Sequence, residues 1–428
     1  DIEVFLCDGQ GNFTQAPFMP IPRPAPEIQL VSDLTGDGLA DIVVMRADHL
    51  TLDILSKSPF VGYDVVQSLS LPPVVSYETS HALTSGDFTG DGFTDLVVSH
   101  VKSTSSGYDS TITFFRGSAS GFADGEEISS NIAFGPDVFS ADVNKDGHLD
   151  IIATEDRTYY SQGYNDGNVI HVLLGDGEGG FSPRMFAFKT GLYTEWRSYM
   201  RIGCQGATLR EIDDVNNDGS PDLIFSVVPF NNWNIPAEGG LWVWLGDGTG
   251  SFASATDVPV RTFESLFDTP ITLDDVNGDG HLDGILGRGV ESLGDIRFVF
   301  GDGAGGFIEA PEDAIELGEA VKIVPEFESG VAQGDYPQKQ IQVADLNADG
   351  LQDWTVLNGR YFASIATYLS NSEGGWQPSY TWQTGTVRWI EMGDLNRDGI
   401  VDIVAGSSVV VTGADSNEIT VYLGNGDG

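Results

Sequence analysis

The chain has 428 residues, of which 40% are hydrophobic, and its 64 acidic and 20 basic side chains give a formal net charge of −44. This apolar content suffices for a large core, whereas the acidity argues against nucleic acid and anionic membrane surfaces as partners. The sequence has no run of about 18 apolar residues, so we expect no insertion into a membrane. Two distant cysteines, Cys7 and Cys204, exclude a disulfide scaffold. The strongly acidic composition favours a secreted, extracellular or cell-surface protein.

The N-terminal segment, residues 1–26, starts partway through a strand pattern. Residues 1–13 (DIEVFLCDGQGNF) predict one alternating strand, a Gly-rich turn and a terminal aromatic residue, with no earlier strand for pairing. Residues 418–428 (EITVYLGNGDG) repeat the same strand and turn. We therefore expect both ends of the chain to share one sheet, which removes an open sheet edge. A larger parent polypeptide or surface assembly would explain the surplus strand.

A nine-residue acidic motif begins at Asp33 and occurs seven times in the chain. Every copy has Asp at positions one, five and nine, Gly at position six, and Thr or Asn at position three. Side chains on alternate residues of a tight loop converge, and their carboxylates repel one another unless a cation is present. Oxygen donors in this number suit Ca²⁺. The copies span residues 33–41, 87–95, 142–150, 214–222, 275–283, 345–353 and 394–402.

Between these motifs the same order of strands recurs, with a mean spacing of about 60 residues. An alternating apolar run enters each acidic loop, and a more continuous run leaves it, as at residues 42–44 and 96–98. Two further strands follow before the next motif. Four short strands repeated at this spacing predict the blades of a β-propeller.

A Gly-rich segment ends the third strand of several repeats, as at residues 175–181 (GDGEGGF) and 301–307 (GDGAGGF). A dinucleotide-binding loop has a similar composition, but it must open a helix, and here Pro or polar β residues follow. We therefore predict β-hairpins at these segments. The aromatic residues that close the hairpins are predicted to pack between neighbouring blades: Phe13, Phe122, Phe181, Phe252, Phe307 and Trp376.

The motif D-x-[NT]-x-D-G-x-x-D between two strands resembles that of the FG-GAP/VCBS repeat family, whose best-known relatives are the calcium-binding β-propellers of integrin α-subunits. The resemblance covers nearly the whole chain. It implies that each motif joins the first two strands of a blade and binds Ca²⁺, about seven ions in all. The implied ligands are the side chains at positions one, three, five and nine and the main-chain carbonyl at position seven: Asp33, Thr35, Asp37, Leu39 and Asp41; Asp87, Thr89, Asp91, Phe93 and Asp95; Asp142, Asn144, Asp146, His148 and Asp150; Asp214, Asn216, Asp218, Ser220 and Asp222; Asp275, Asn277, Asp279, His281 and Asp283; Asp345, Asn347, Asp349, Leu351 and Asp353; Asp394, Asn396, Asp398, Ile400 and Asp402.

The predicted fold is all-β: one domain over residues 1–428, a seven-bladed β-propeller of four-stranded antiparallel blades. Residues 1–26 would supply the strands that close the ring with the C-terminal blade.

Three insertions rich in aromatic residues are predicted on the face opposite the calcium loops, over the third and fourth blades. Flat rings beside polar side chains resemble a recognition surface for a sugar or a protein loop. The alternative is that these rings pack the long loops onto the blades. The candidate ligand-binding residues are Tyr159, Tyr160, Tyr164, Trp196, Tyr199, Asn231 and Trp233.

Catalysis has little support in the sequence. The six His are scattered, and no GxSxG, HExxH or Ser/His/Asp grouping is present, so we predict no catalytic residues and no enzyme. The resemblance does not specify one activity, because propellers of this kind serve several functions. A binding or adhesion module for a glycan or an extracellular protein is the first hypothesis. A structural module of a large surface protein and a polysaccharide-active enzyme stay open.

Overall fold

The computed structural model describes residues 2–7, 13–15, 27–39, 41–46, 48, 50–57, 63–71, 81–104, 107–132, 138–155, 169–187, 204–229, 240–254, 260–261, 271–287, 296–310, 340–358, 363–370, 376–385, 387–394, 400–411 and 414–422. Within these ranges the chain forms strands joined by turns, and it contains no helix. It follows that these ranges include no helix able to cross a membrane.

The strands are numbered in chain order. The first two are β1 (Ile2–Cys7) and β2 (Phe13–Gln15). Blade 1 contains β3 (Glu27–Ser32), β4 (Asp41–Met45), β5 (Thr51–Lys57) and β6 (Tyr63–Ser70), and blade 2 contains β7 (His81–Gly86), β8 (Asp95–Thr104), β9 (Gly107–Phe115) and β10 (Glu126–Ile132). Blade 3 contains β11 (Val138–Ala141), β12 (Asp150–Glu155), β13 (Val169–Gly175) and β14 (Phe181–Ala187). Blade 4 contains β15 (Cys204–Asp213), β16 (Asp222–Pro229), β17 (Gly240–Gly246), β18 (Phe252–Ser254) and β19 (Val260–Arg261).

The remaining strands follow the same pattern. Blade 5 contains β20 (Ile271–Asp274), β21 (Asp283–Gly287), β22 (Ile296–Gly301) and β23 (Phe307–Glu309), and blade 6 contains β24 (Gln340–Ala344), β25 (Asp353–Asn358), β26 (Ala363–Ser370) and β27 (Trp376–Gly385). The last three strands are β28 (Val387–Gly393), β29 (Asp402–Val411) and β30 (Ala414–Tyr422).

Six sheets have the strand order of a propeller blade. In each one, four consecutive strands lie side by side in chain order and pair antiparallel, and in blade 4 the short β19 also pairs with β17. Short strands joined by tight turns can pair only with their neighbours in sequence, which produces this meander. The prediction of an all-β propeller built from four-stranded antiparallel blades is confirmed for these six.

The hydrophobic core lies between blades. All five residues of β4 (DIVVM) are buried, and its Val43 and Met45 pack in the cluster that joins blade 1 to blade 2. Each described core cluster joins two consecutive sheets; one of them combines Ile152 and Val172 of blade 3 with Leu223 and Phe225 of blade 4. Five hairpin aromatics pack in the cluster between their own blade and the preceding one, as predicted: Phe122, Phe181, Phe252, Phe307 and Trp376.

A seventh sheet combines strands from both ends of the chain, in the order β2-β1-β30-β29-β28. The pairing of β1 with β30 is parallel and runs from Ile2 opposite Ile419 to Phe5 opposite Tyr422. The seventh sheet therefore departs from the four-stranded antiparallel blade that the sequence predicts, and it contains the surplus third strand whose place the sequence left open. Both strands are third strands of the repeat pattern, and here they run in the same direction. Seven blades and a closed ring stay predictions.

The Gly-rich segments form hairpins. Residues 175–181 join β13 to β14, with Gly175 opposite Phe181, and the Asp176 N–H donates to the Gly180 carbonyl oxygen at 3.0 Å. The Asp176 carboxylate also accepts hydrogen bonds from the N–H groups of Glu178 and Gly180, and these bonds lower its pKa. Equivalent turns follow β17 and β22. The β-hairpin interpretation is confirmed for these segments.

Candidate calcium loops

The seven acidic motifs, called loops 1 to 7 in chain order, each connect the first and second strands of a sheet. In every case the ninth-position Asp is the first residue of the second strand. Position eight of loop 1 (residue 40) and residues 395–399 of loop 7, which include the predicted ligands Asn396 and Asp398, lie outside the described residues. All of loops 2 to 6 is described. The predicted connection of the first two strands by the acidic motif is confirmed.

The first and fifth positions shape the turn, as loop 3 illustrates. The Asp142 carboxylate accepts the N–H groups of Asp146 at 3.2 Å and Gly147 at 2.8 Å. The Asp146 carboxylate accepts the N–H of His148 at 2.9 Å. Gly147 has φ 87°, a left-handed conformation that Gly adopts without steric cost. The same bonds recur in loops 1, 2, 4, 5 and 6.

The ninth-position Asp ties the loop to the rest of the blade. Asp150 is fully buried, and one carboxylate oxygen accepts the N–H of Val143 at 2.9 Å. Its other oxygen accepts the N–H of Gly175, at the end of the third strand, at 2.8 Å. Loops 2, 4, 5 and 6 have the same pair of bonds. Position nine therefore fixes the acidic loop against the turn between the third and fourth strands.

Burial makes these ninth-position carboxylates costly to ionise. Burial raises the pKa of Asp150 to about 6, and the charges of Asp146 and Asp142 contribute in the same direction. The pKa values of Asp222 and Asp283 are also raised to about 6, chiefly by burial. A charged, buried carboxylate surrounded by other acids is stabilised by a cation. In loops 3 to 5, therefore, a positive ion would offset the cost of ionising this buried carboxylate.

Two further loop positions carry structural information that the sequence reading missed. In loops 1 to 6 the second-position side chain is apolar and buried, and in loops 1 to 5 it packs in a core cluster between two blades, as Phe88, Val143 and Val215 do. The fourth position has a left-handed backbone in six loops: Gly36, Gly90, Lys145, Asn217, Gly278 and Ala348. The signal for the second position was present, since every copy has Leu, Phe or Val there.

The donor chemistry of the loops fits a hard cation. Asp, Asn and Thr supply oxygen donors at positions one, three, five and nine, which is the set that Ca²⁺ prefers. Among the described residues, however, no group of three or more His, Cys, Asp or Glu side chains is arranged to hold a metal ion. In loops 1 to 6 the carboxylates instead accept main-chain N–H groups. Calcium binding and its ligand set stay predictions.

The raised pKa values predict an unusual pH dependence for the metal-free protein. A carboxyl whose pKa is higher in the folded state binds more protons when folded, so its contribution to stability is present below its unfolded pKa near 4. That contribution is lost as the pH rises through about 6, the folded pKa of Asp150, Asp222 and Asp283. We expect the melting temperature in metal-depleted buffer to fall between pH 4.5 and 6.5.

The measurement is calorimetry at constant ionic strength. Asp150→Asn is the matched variant, because it removes one of the buried carboxyls with a raised pKa and should flatten the slope. A melting temperature of the metal-free protein that rises over this interval would contradict the assignment.

The aromatic candidates for ligand binding cannot be located in the same way. Tyr159, Tyr160, Tyr164, Trp196, Tyr199, Asn231 and Trp233 all lie outside the described residues. The strands that flank them, β12, β13, β14, β15, β16 and β17, belong to blades 3 and 4, as the sequence predicted. Their role as a binding surface stays a prediction.

A protein-family comparison agrees with the geometry of the loops. The model of the FG-GAP-like repeat matches residues 87–153, 214–286 and 340–405. Each match runs from one acidic loop through the next, so that together they contain loops 2 to 7. The chain carries three FG-GAP-like repeats. The predicted resemblance to the FG-GAP family is therefore confirmed, whereas integrin-like calcium binding is not part of this finding.

Curated relatives and solved structures add distant similarities. The chain is 26% identical to the phosphatidylinositol-glycan-specific phospholipase D of Mus musculus over 149 residues. This aligned stretch covers 34% of this chain and 17% of that protein. The chain thus matches only a small part of this relative's length. A structure of a protein from Lactobacillus plantarum aligns with a TM-score of 0.44 and 11% identity, over 90% of this chain and 94% of that one.

A second structure, Trypanosoma rangeli sialidase in complex with sialic acid, aligns with a TM-score of 0.38 and 9% identity, over 99% of this chain and 57% of that one. With TM-scores of 0.44 and 0.38, neither structure bears on function. The prediction that the chain is not an enzyme stays a prediction.

Proposed function

We propose that this chain is an extracellular, calcium-binding β-propeller that acts as a non-enzymatic binding or adhesion module for a glycan or protein ligand. The observation that carries the calcium part is the fully buried ninth-position Asp. It recurs in all seven loops, and in loop 3 the charges of two neighbouring carboxylates raise its pKa further. A cation in the loop would offset this repulsion and hold the acidic turn against the hairpin of the same blade.

We further propose that the seven sheets form one closed ring. Two contacts support this arrangement. Strand β28 of the seventh sheet lies next to β3 of blade 1. The pKa of the Tyr63 phenol is raised, chiefly by burial and then by the charges of Asp402 in loop 7 and Asp41 in loop 1. This buried side chain therefore lies near both loops. In a closed ring, β1 and β2 would cover the free edge of β30.

A ring of this kind suits binding. The calcium loops stiffen one face, and the loops of the opposite face are free to vary in length and sequence around a rigid scaffold. The acidic surface favours ligands that are neutral or basic. The mouse relative is named as a phospholipase D, but the match covers 17% of it, and we do not extend that activity to this chain.

The calcium part predicts a stoichiometry. Protein dialysed against millimolar calcium should retain about seven ions per chain, with dissociation constants of about 10⁻⁴ to 10⁻³ M, as in other extracellular calcium modules. Equilibrium dialysis with atomic emission detection measures the number directly. One or two ions per chain would show that the motif does not bind calcium repeat by repeat.

The binding part predicts a ligand on the face opposite the calcium loops. A glycan array and an extracellular-protein array should give hits with the calcium-loaded chain, and Trp196→Ala together with Trp233→Ala should abolish them at unchanged melting temperature. Retained binding with a lowered melting temperature would instead mean that these rings pack the long loops onto the blades. Release of product from a polysaccharide would favour an enzyme, and the absence of any ligand would favour a structural module.

A further inference from the structure

The seven loops have different residues at position four, and two of these side chains contact the next loop. Loops 1, 2 and 5 have Gly at this position, whereas loops 3 and 4 have Lys145 and Asn217. Lys145 and Asn217 have φ angles of 60° and 57°, a left-handed conformation that costs a lysine more free energy than an asparagine. The lysine therefore occupies a position where its backbone is disfavoured.

Both side chains reach the next loop along the propeller. The Lys145 ammonium donates to the main-chain carbonyl oxygen of Asp218 in loop 4 at 3.2 Å. The Asn217 amide lies 3.3 Å from the carbonyl oxygen of Gly280 and 3.3 Å from Nδ1 of His281, both in loop 5. Loops 3, 4 and 5 are thus connected by direct side-chain contacts.

The lysine side chain fits into a groove made by glycines of blade 4. A Cβ at Gly248 would lie 3.2 Å from Lys145 Cδ, and a Cβ at Gly219 would lie 3.5 Å from its Nζ. The missing side chains at these two positions leave room for the lysine stem and bring its charge onto loop 4.

We propose that Lys145 is a built-in counter-cation of loop 4, which makes this loop less dependent on calcium and gives it a weaker calcium affinity than loop 2. The proposal rests on the calcium binding proposed above. An ammonium group attracts the loop carboxylates when calcium is absent and repels a divalent ion when calcium enters. Loop 2 has no such competitor at position four of the preceding loop, because Gly36 has no side chain.

The test is a calcium titration that resolves individual loops. The amide signals of the sixth-position glycines, Gly92, Gly147, Gly219 and Gly280, report loops 2 to 5 in protein labelled with ¹⁵N-glycine. In the wild type, the Gly219 signal should shift at a calcium concentration about fivefold to tenfold higher than the Gly92 signal. In Lys145→Gln, which removes the charge and leaves a polar side chain one atom shorter, the Gly219 midpoint should fall to that of Gly92.

Two variants serve as controls. Lys145→Arg keeps the charge and should behave like the wild type. Arg184→Gln also removes one positive charge from blade 3. The Arg184 guanidinium donates to the main-chain carbonyl oxygen of Thr249, in the blade 4 hairpin, at 2.7 Å. This variant should leave the Gly219 midpoint unchanged. In metal-depleted buffer, Lys145→Gln should melt below the wild type, and calcium should reduce the difference.

An unchanged Gly219 midpoint in Lys145→Gln, with Gly92 still responding to calcium, would overturn the role of Lys145 alone. An equal fall of the midpoint in Arg184→Gln would also overturn it, because the effect would then be one of net charge. If no glycine signal responds to calcium, both this inference and the proposed calcium binding fail.

Discussion

Removal of calcium is expected to lower the melting temperature of this protein by roughly 10 °C. If free calcium is about ten times the dissociation constant of a loop, each bound ion stabilises the folded state by about 1.4 kcal/mol. Seven loops together then contribute about 10 kcal/mol. With an unfolding entropy of about 2.1 cal/mol/K per residue over 428 residues, that free energy corresponds to roughly 10 °C.

Calorimetry in millimolar calcium and in excess chelator measures this difference. Magnesium at the same concentration is the control for general screening of the net charge, and it should restore only a small part of the loss, because Mg²⁺ requires a tighter octahedral site. Equal recovery in magnesium would assign the effect to charge screening. An unchanged melting temperature in chelator would mean that the motifs are stable turns without a metal.

The sequence predicted the repeating unit because its signals are local. Asp at three fixed positions and an obligatory Gly define a turn, and alternating runs on both sides define strands, so the acidic loops and the Gly-rich hairpins were found at the expected places. The aromatic plugs were predictable for a similar reason. A large ring at the end of each hairpin has to be buried, and neighbouring blades are the nearest apolar surfaces.

Other features depend on contacts between distant residues and could not be predicted. The bond from Gly175 to the buried Asp150 joins two turns that are 25 residues apart in sequence. The contact of Lys145 with loop 4 spans 73 residues. The parallel pairing of β1 with β30 joins opposite ends of the chain, where similar sequences left the direction of pairing undetermined. The candidate ligand surface, in contrast, rested on composition alone, without a spacing that fixes its geometry.

Truncation of a second-position side chain is the substitution with the largest expected effect. Phe88 is fully buried between blades 2 and 3, with its ring 6.0 Å from that of Phe114 and 6.1 Å from that of Phe181. Its main-chain N–H donates to the Asp95 carboxylate at 2.9 Å. Phe88→Ala should therefore lower the free energy of unfolding by about 3–5 kcal/mol, through lost burial and the cavity left between the blades. It should also weaken calcium binding by loop 2, because the side chain no longer anchors the loop.

Denaturant unfolding in calcium and in chelator separates these two effects. Phe88→Leu is the conservative variant, since Leu34 and Leu346 occupy the same position in loops 1 and 6, and it should cost about 1.5 kcal/mol or less. Ile308→Ala, at a side chain that is 63% exposed on β23, is the control and should change stability by about 0.5 kcal/mol at most. A Phe88→Ala protein as stable as Ile308→Ala would contradict the anchor. If Phe88→Ala loses the same large free energy of unfolding in calcium and in chelator, Phe88 stabilises the packing of the blades but does not affect metal binding. If Phe88 anchors loop 2, the variant must lose more stability in calcium than in chelator.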